Sequence, residues 1–69
     1  MFDVSLRSAD HVRRYAISTL STGWEVRIEE DRRISRLDVY RDWHRVERTL
    51  ALFEREVGSL TANGWRVAS

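Results

Sequence analysis

The longest hydrophobic pattern in the chain covers residues 42–60 and has the period of an α-helix. Its large apolar side chains recur at alternating spacings of three and four, which places them on one stripe: Trp43, Val46, Leu50, Phe53, Val57 and Leu60. Asp42 is a good N-cap, because its carboxylate can accept a hydrogen bond from a free N–H group of the first turn. Since Asn63 and Gly64 form the strongest stop signal downstream, the pattern predicts a helix to about Ala62, against which the rest of the chain packs.

A shorter helical pattern lies between residues 8 and 21. Ser8 suits the N-cap position, and the apolar or small residues that follow share one stripe: Ala9, Val12, Ala16 and Leu20. Gly23 suits the left-handed position that often follows the end of a helix. The sequence therefore predicts a first helix that ends near Ser21.

Strict alternation of apolar and polar residues, which is typical of strands, marks two further segments. The first covers residues 2–6, with Phe2, Val4 and Leu6 on one side. The second begins at Trp24, continues through Val26 and Ile28, and is the clearest strand signal in the chain. The charged residues 30–33 then predict a hairpin turn, although they lack the Asn-Gly or Asp-Gly pair that tight hairpins favour.

The strand that returns from this turn, residues 33–41, is less regular. Ile34 and Tyr40 fall on one parity, whereas Leu37 and Val39 fall on the other. Two interpretations remain open: a β-bulge near residues 35–36 switches the face, or both faces of the strand are partly covered. A last short strand is predicted at residues 65–67.

A faint internal repeat guides the choice of fold. Residues 23–26 and 64–67 both match Gly-Trp-x-Val, each directly after a predicted helix. Two strand–helix–strand units in tandem predict an α+β domain over residues 1–69 with β-α-β-β-α-β order. In this ferredoxin-like (split βαβ) sandwich, two helices cover one face of an antiparallel sheet. If the first strand is absent, the alternative is α-β-β-α-β with a three-stranded sheet.

Composition and charge narrow the class of protein. The 69 residues carry 12 basic and 11 acidic side chains, a net charge of +1, whereas dedicated nucleic-acid binders usually show a clear basic excess. All the basic residues are Arg, and there is no Cys, which excludes disulfides and thiolate metal sites. Because no apolar run approaches membrane-spanning length and no signal peptide is evident, we expect a soluble cytoplasmic protein without a membrane association.

The motifs for catalysis and cofactor binding are missing from the sequence. His11 and His44 lie on different predicted helices and without metal-ligand spacing, and the Gly residues are isolated rather than grouped into a phosphate-binding loop. The paired carboxylates lie in a predicted turn (Glu29, Glu30 and Asp31) or along the edge of the apolar stripe of the long helix (Glu47 and Glu54). Neither position implies acid–base catalysis, which generally needs burial or close like charges. We therefore expect no enzymatic activity, no metal and no cofactor.

One surface of the long helix remains as a candidate contact site. Opposite its apolar stripe, the helical wheel places Arg45, Arg48, Leu52 and Arg55, so that one large apolar residue is surrounded by Arg. The leading hypothesis is a small bacterial-type domain that acts by protein–protein interaction or homodimerisation. It would use this surface or the sheet face away from the helices. The alternative is nucleic-acid binding by the same Arg side chains, and a small-ligand domain or an enzyme is the least favoured.

Overall fold

The computed structural model describes residues 1–68. They form one five-stranded antiparallel sheet in the order β4-β3-β2-β1-β5, with a single helix packed on one face. The elements in chain order are β1 (Phe2–Ser8), β2 (His11–Leu20), β3 (Gly23–Glu30), β4 (Arg33–Tyr40), α1 (Trp43–Ala62) and β5 (Arg66–Val67). The first four strands are a meander, and α1 then crosses the sheet so that β5 pairs with β1.

The helix predicted between residues 8 and 21 is wrong, because this segment is β2. Its β-branched and aromatic residues favour a strand, and β1 and β3 pair with it on both sides. Tyr15 and Ile17 lie off the predicted helical stripe, yet they are 1% and 0% exposed in the core. Because successive side chains of a strand point to opposite faces, Ala16, which belonged to the predicted helical stripe, lies on the sheet face away from Tyr15 and Ile17.

The predicted fold therefore needs correction. The class stays α+β-like, but residues 1–68 form one helix and five strands, which fits neither the ferredoxin-like β-α-β-β-α-β sandwich nor the three-stranded α-β-β-α-β alternative. The Gly-Trp-x-Val repeat misled the prediction, since only its second copy follows a helix. Gly23 instead opens β3, where a Cβ atom would overlap the carbonyl oxygen of Tyr40.

The long helix and its cap are confirmed. Helix α1 covers Trp43–Ala62, and the Asp42 carboxylate accepts a hydrogen bond from the N–H of His44 at 3.0 Å. Val46 and Phe53 on its apolar stripe are fully buried. The helix thereby covers the sheet face that carries the alternating apolar residues of β1, β2 and β3.

The hairpin between β3 and β4 contains the bulge that the sequence left open. Asp31 and Arg32 form the turn with φ angles of 50° and 70°. Glu29 pairs with Ile34 and Ile28 with Arg36, so Ser35 is the extra residue. The bulge puts three apolar residues of β4 on the sheet face away from α1: Ile34, Leu37 and Val39.

The core is a single layer between the sheet and α1. Its fully buried members come from four elements: Leu6, Tyr15, Ile17, Val26, Val46 and Phe53. The rings of Tyr15 and Phe53 meet edge to face at 5.1 Å, and those of Trp24 and Trp43 pack at 5.3 Å near the start of the helix. Since this layer covers only one face, the other face of the sheet is left to polar and half-exposed side chains.

Candidate interaction surface

The four residues predicted from the helical wheel all lie on the exposed surface of α1. Arg45, Arg48 and Arg55 are exposed, and Leu52 is 40% exposed. The Arg45 guanidinium lies 6.0 Å from the ring centre of Tyr40, the last residue of β4. Leu52 follows Arg45 by two helical turns, so both belong to the flank of the helix that faces β4, whereas Arg48 and Arg55 point further into solvent.

These helix arginines differ in their electrostatic environment from four arginines of the sheet, which are paired with carboxylates. In the sheet, Arg14 donates two hydrogen bonds to the Asp3 carboxylate at 2.9 and 2.7 Å, and these hydrogen bonds lower the pKa of Asp3. Arg13, Arg27 and Arg36 each form an ion pair with a carboxylate of the sheet. Among residues 1–68, no carboxylate lies within ion-pair distance of Arg45, Arg48 or Arg55.

A second exposed surface lies on β4, on the sheet face away from α1, which the sequence analysis proposed as an alternative surface without identifying the strand or its residues. β4 is the outermost strand of the sheet, and Ile34, Leu37 and Val39 on its open face are 52%, 50% and 57% exposed. The opposite edge is formed by β5, which has two residues and pairs with Leu6 and Arg7, and by the rest of β1, whereas β4 forms its edge with eight residues. The available signal was the parity change between Ile34 and Leu37, but the sequence does not reveal which strand is outermost.

The free edge of β4 combines two binding features. An edge strand presents unpaired N–H and C=O groups to solvent, and proteins normally protect such an edge by shortening, charging or covering it. Here this protection is only partial. The bulge at Ser35 disturbs the first half of β4, but the charged residues Arg36 and Asp38 lie on the helix side of the sheet and not on the open face with Leu37. The second half of the strand remains regular, with Leu37 and Val39 exposed beside it.

A cleft beneath the end of α1 is the best candidate for a small-ligand site. Its volume is about 400 Å³, and Arg13, Tyr15, Glu30 and Glu56 are among its lining residues. Arg13 is paired with Glu30 at 2.8 Å and lies 5.6 Å from the Trp65 ring. Burial raises the pKa of the Tyr15 phenol, so it stays neutral and is unsuited to act as a base. The cleft thus contains the Arg13–Glu30 ion pair, a protonated phenol and the Glu56 carboxylate.

Comparisons with known proteins give no lead to the function. No protein-family model, characterised protein or solved structure matches the chain. No helix within residues 1–68 has the length and apolar character that crossing a membrane requires. The same residues contain no group of three or more His, Asp or Glu side chains arranged to hold a metal ion.

Proposed function

We propose that this protein is a binding domain that works by protein–protein interaction, and that it associates with a second copy of itself through the edge of β4. The supporting observation is an outermost strand whose edge is only partly protected, with three half-exposed apolar residues on its open face. Adding a strand from another chain would pair the free backbone groups and bury part of the apolar surface at the same time.

The β4 edge is a better candidate for self-association than the helix surface. On the helix, Leu52 is a single exposed apolar residue among Arg side chains, and an isolated exposed Leu is ordinary on a protein surface. Two copies of that surface would also bring Arg45, Arg48 and Arg55 against like charges. The edge of β4 presents several apolar side chains together with backbone hydrogen-bonding groups.

The proposal is tested by sedimentation velocity and light scattering of the wild-type chain from micromolar to millimolar concentration. We expect a concentration-dependent shift to twice the mass of the chain. Leu37→Lys should abolish the shift, because it places a charge on the apolar side of the new strand pair. Since Leu37 is half exposed, circular dichroism should show that this variant keeps its fold.

Leu52→Glu is the matched control, because it adds a charge at a similarly exposed Leu on the helix. It should dimerise as the wild type does. A wild-type chain that stays monomeric at every concentration would refute self-association, and a dimer lost with Leu52→Glu but kept with Leu37→Lys would move the interface to the helix.

Nucleic-acid binding by the exposed helix arginines is the second candidate. It is supported by the absence, within residues 1–68, of carboxylate partners for Arg45, Arg48 and Arg55, whose guanidinium groups could bind phosphates. The balanced net charge of +1 argues against a strong, dedicated binder. A small-ligand or enzymatic role is less supported, since the Arg13 charge in the cleft is paired with Glu30 and the Tyr15 phenol is protonated.

This second candidate predicts binding that weakens steeply with salt. Three phosphate contacts correspond to a slope of about −2 to −3 in a plot of log affinity against log salt concentration. The double variant Arg48→Glu/Arg55→Glu should remove binding to single- and double-stranded oligonucleotides in a fluorescence-anisotropy titration. Arg14→Gln, which changes an arginine already paired with Asp3, is the control. Absence of binding by the wild type at low salt would refute the candidate.

A further inference from the structure

Two of the three charged residues of β4, Arg36 and Asp38, are arranged symmetrically about one apolar residue. Arg36 and Asp38 flank Leu37 and lie on the helix side of the sheet, while Leu37 itself lies on the open side. The Arg36 Nε donates to the Asp38 carboxylate at 2.9 Å, and the Arg36 guanidinium also donates to the Tyr40 hydroxyl at 3.0 Å. A positive and a negative charge thus lie at equal distances along the strand on either side of Leu37.

We infer that two copies of the chain pair β4 against β4 with the twofold axis through Leu37, so that Arg36 and Asp38 select the register. This inference rests on the proposed self-association and specifies its geometry. In an antiparallel pair centred on Leu37, Arg36 lies directly opposite Asp38 of the second copy, and the reverse pair forms by symmetry. Each carboxylate then has two guanidinium neighbours, one on its own strand and one across the interface.

Neighbouring symmetric registers are less favourable in charge. With the axis through Arg36, the two Arg36 guanidinium groups would face each other, and with the axis through Asp38, the two Asp38 carboxylates would face each other. Like charges directly opposite each other destabilise a strand pair. With the axis through Val39, the apolar Leu37 would lie opposite Arg41 of the second copy, and Arg36 would no longer pair with Asp38.

The apolar residues on the open face of β4 are compatible with the same axis. Leu37 would meet Leu37 of the second copy on the open face of a continuous ten-stranded sheet, which doubles the five strands of one chain. The bulge at Ser35 would end the regular pairing on both sides of the axis. The symmetric segment therefore covers residues 35–39 of each copy, and both helices lie on the same face of the joined sheet.

Single cysteine variants test the register, because the chain contains no native Cys. Leu37→Cys would face its own copy across the axis at the Cα separation of about 4.5–5.5 Å found in antiparallel pairs, which suits a disulfide. Val39→Cys is the matched control on the same exposed face. Its two copies would be displaced by four residues, about 14 Å along the strands, which is too far for a disulfide.

Under mild oxidation, we expect Leu37→Cys to form the covalent dimer at least about ten times faster than Val39→Cys. Non-reducing electrophoresis over time measures both rates, and circular dichroism monitors folding. Equal rates, or faster cross-linking of Val39→Cys, would overturn the register. If sedimentation shows a wild-type dimer while this test fails, the proposed self-association stands with another register. A monomeric wild type would refute both.

A charge exchange gives an independent test. Arg36→Glu alone would place a second carboxylate opposite Asp38, and Asp38→Arg alone would oppose two guanidinium groups, so each variant should dimerise at least about ten times more weakly than the wild type. A mixture of the two variants restores opposite charges across the interface and should form a heterodimer, seen by light scattering. Two weakened variants that fail to combine, or single variants that dimerise like the wild type, would overturn the role of Arg36 and Asp38.

Discussion

Two glycines of the chain differ in what surrounds their α-carbons. A Cβ atom on Gly23 would overlap the backbone carbonyl of Tyr40, whereas a Cβ atom on Gly58 within α1 would meet nothing within 4 Å. Gly23→Ala should therefore destabilise the fold by about 1–3 kcal/mol through overpacking. Gly58→Ala should stabilise it by about 0.5–1 kcal/mol, because Gly is a poor helix former. Urea denaturation measures the free energy of unfolding of both variants, and equal changes in the two would contradict this prediction.

His11 provides a pH-dependent contact between two turns. Its Nδ1 lies 3.1 Å from the Asp31 carboxylate, and the hydrogen bond and charge of Asp31 raise the pKa of His11 above its ordinary value of 6.5. Because the folded pKa is the higher one, the stabilisation is fully present below the unfolded pKa and is lost as pH rises through the folded pKa. The wild type should lose this increment of stability between mildly acidic and mildly alkaline pH.

Asp31→Asn is the corresponding test, followed by an NMR titration of the His11 ring protons. The variant should move the pKa of His11 down toward its ordinary value, while the amide oxygen can still accept from the N–H of Val12 as the carboxylate does now at 2.9 Å. The pH dependence of stability that is expected of the wild type should be smaller in this variant. An unchanged pKa of His11 would show that the contact does not persist in solution.

At the scale of the elements, the N-terminus of α1 depends on Asp42. Its carboxylate accepts the backbone N–H of His44, one of the free donors at the start of the helix. Asp42→Ala should lower the free energy of unfolding by about 0.5–2 kcal/mol, and Asp42→Ser should restore most of it. Thermal and urea denaturation followed by circular dichroism measure both, and a loss with Ser as large as with Ala would assign the effect to something other than capping.

The elements also show where sequence patterns suffice. Helix α1 was predictable because its apolar stripe extends over about five turns with a cap at one end. The segment of β2 carries two patterns at once: Val12 and Ala16 fit a helical stripe, while Tyr15 and Ile17 fit a strand. Pairing with β1 and β3 on both sides decides between them, and this non-local pairing cannot be read from a local window.

At the scale of the whole molecule, stability should depend on protein concentration if the chain dimerises. Binding that is restricted to the folded state raises the melting temperature by mass action. The wild-type melting temperature should therefore increase with concentration, and Leu37→Lys should remove that dependence. Scanning calorimetry over a wide concentration range measures both. A wild-type melting temperature that is independent of concentration would argue against the dimer.

The sequence by itself determined the long helix, its Asp42 cap, the β3–β4 hairpin and the exposed position of Leu52 among arginines, because these follow from local periodicity and turn chemistry. Tertiary structure decided that β2 is a strand and that β4 is the outermost strand. It also decided that residue 23 must be Gly, because the carbonyl of Tyr40 lies where a Cβ atom would be. The physical reason is the same in each case: strand pairing and edge position depend on contacts between distant segments. The exposed apolar residues of β4 could therefore be placed at a free edge of the sheet only when the strand order was known.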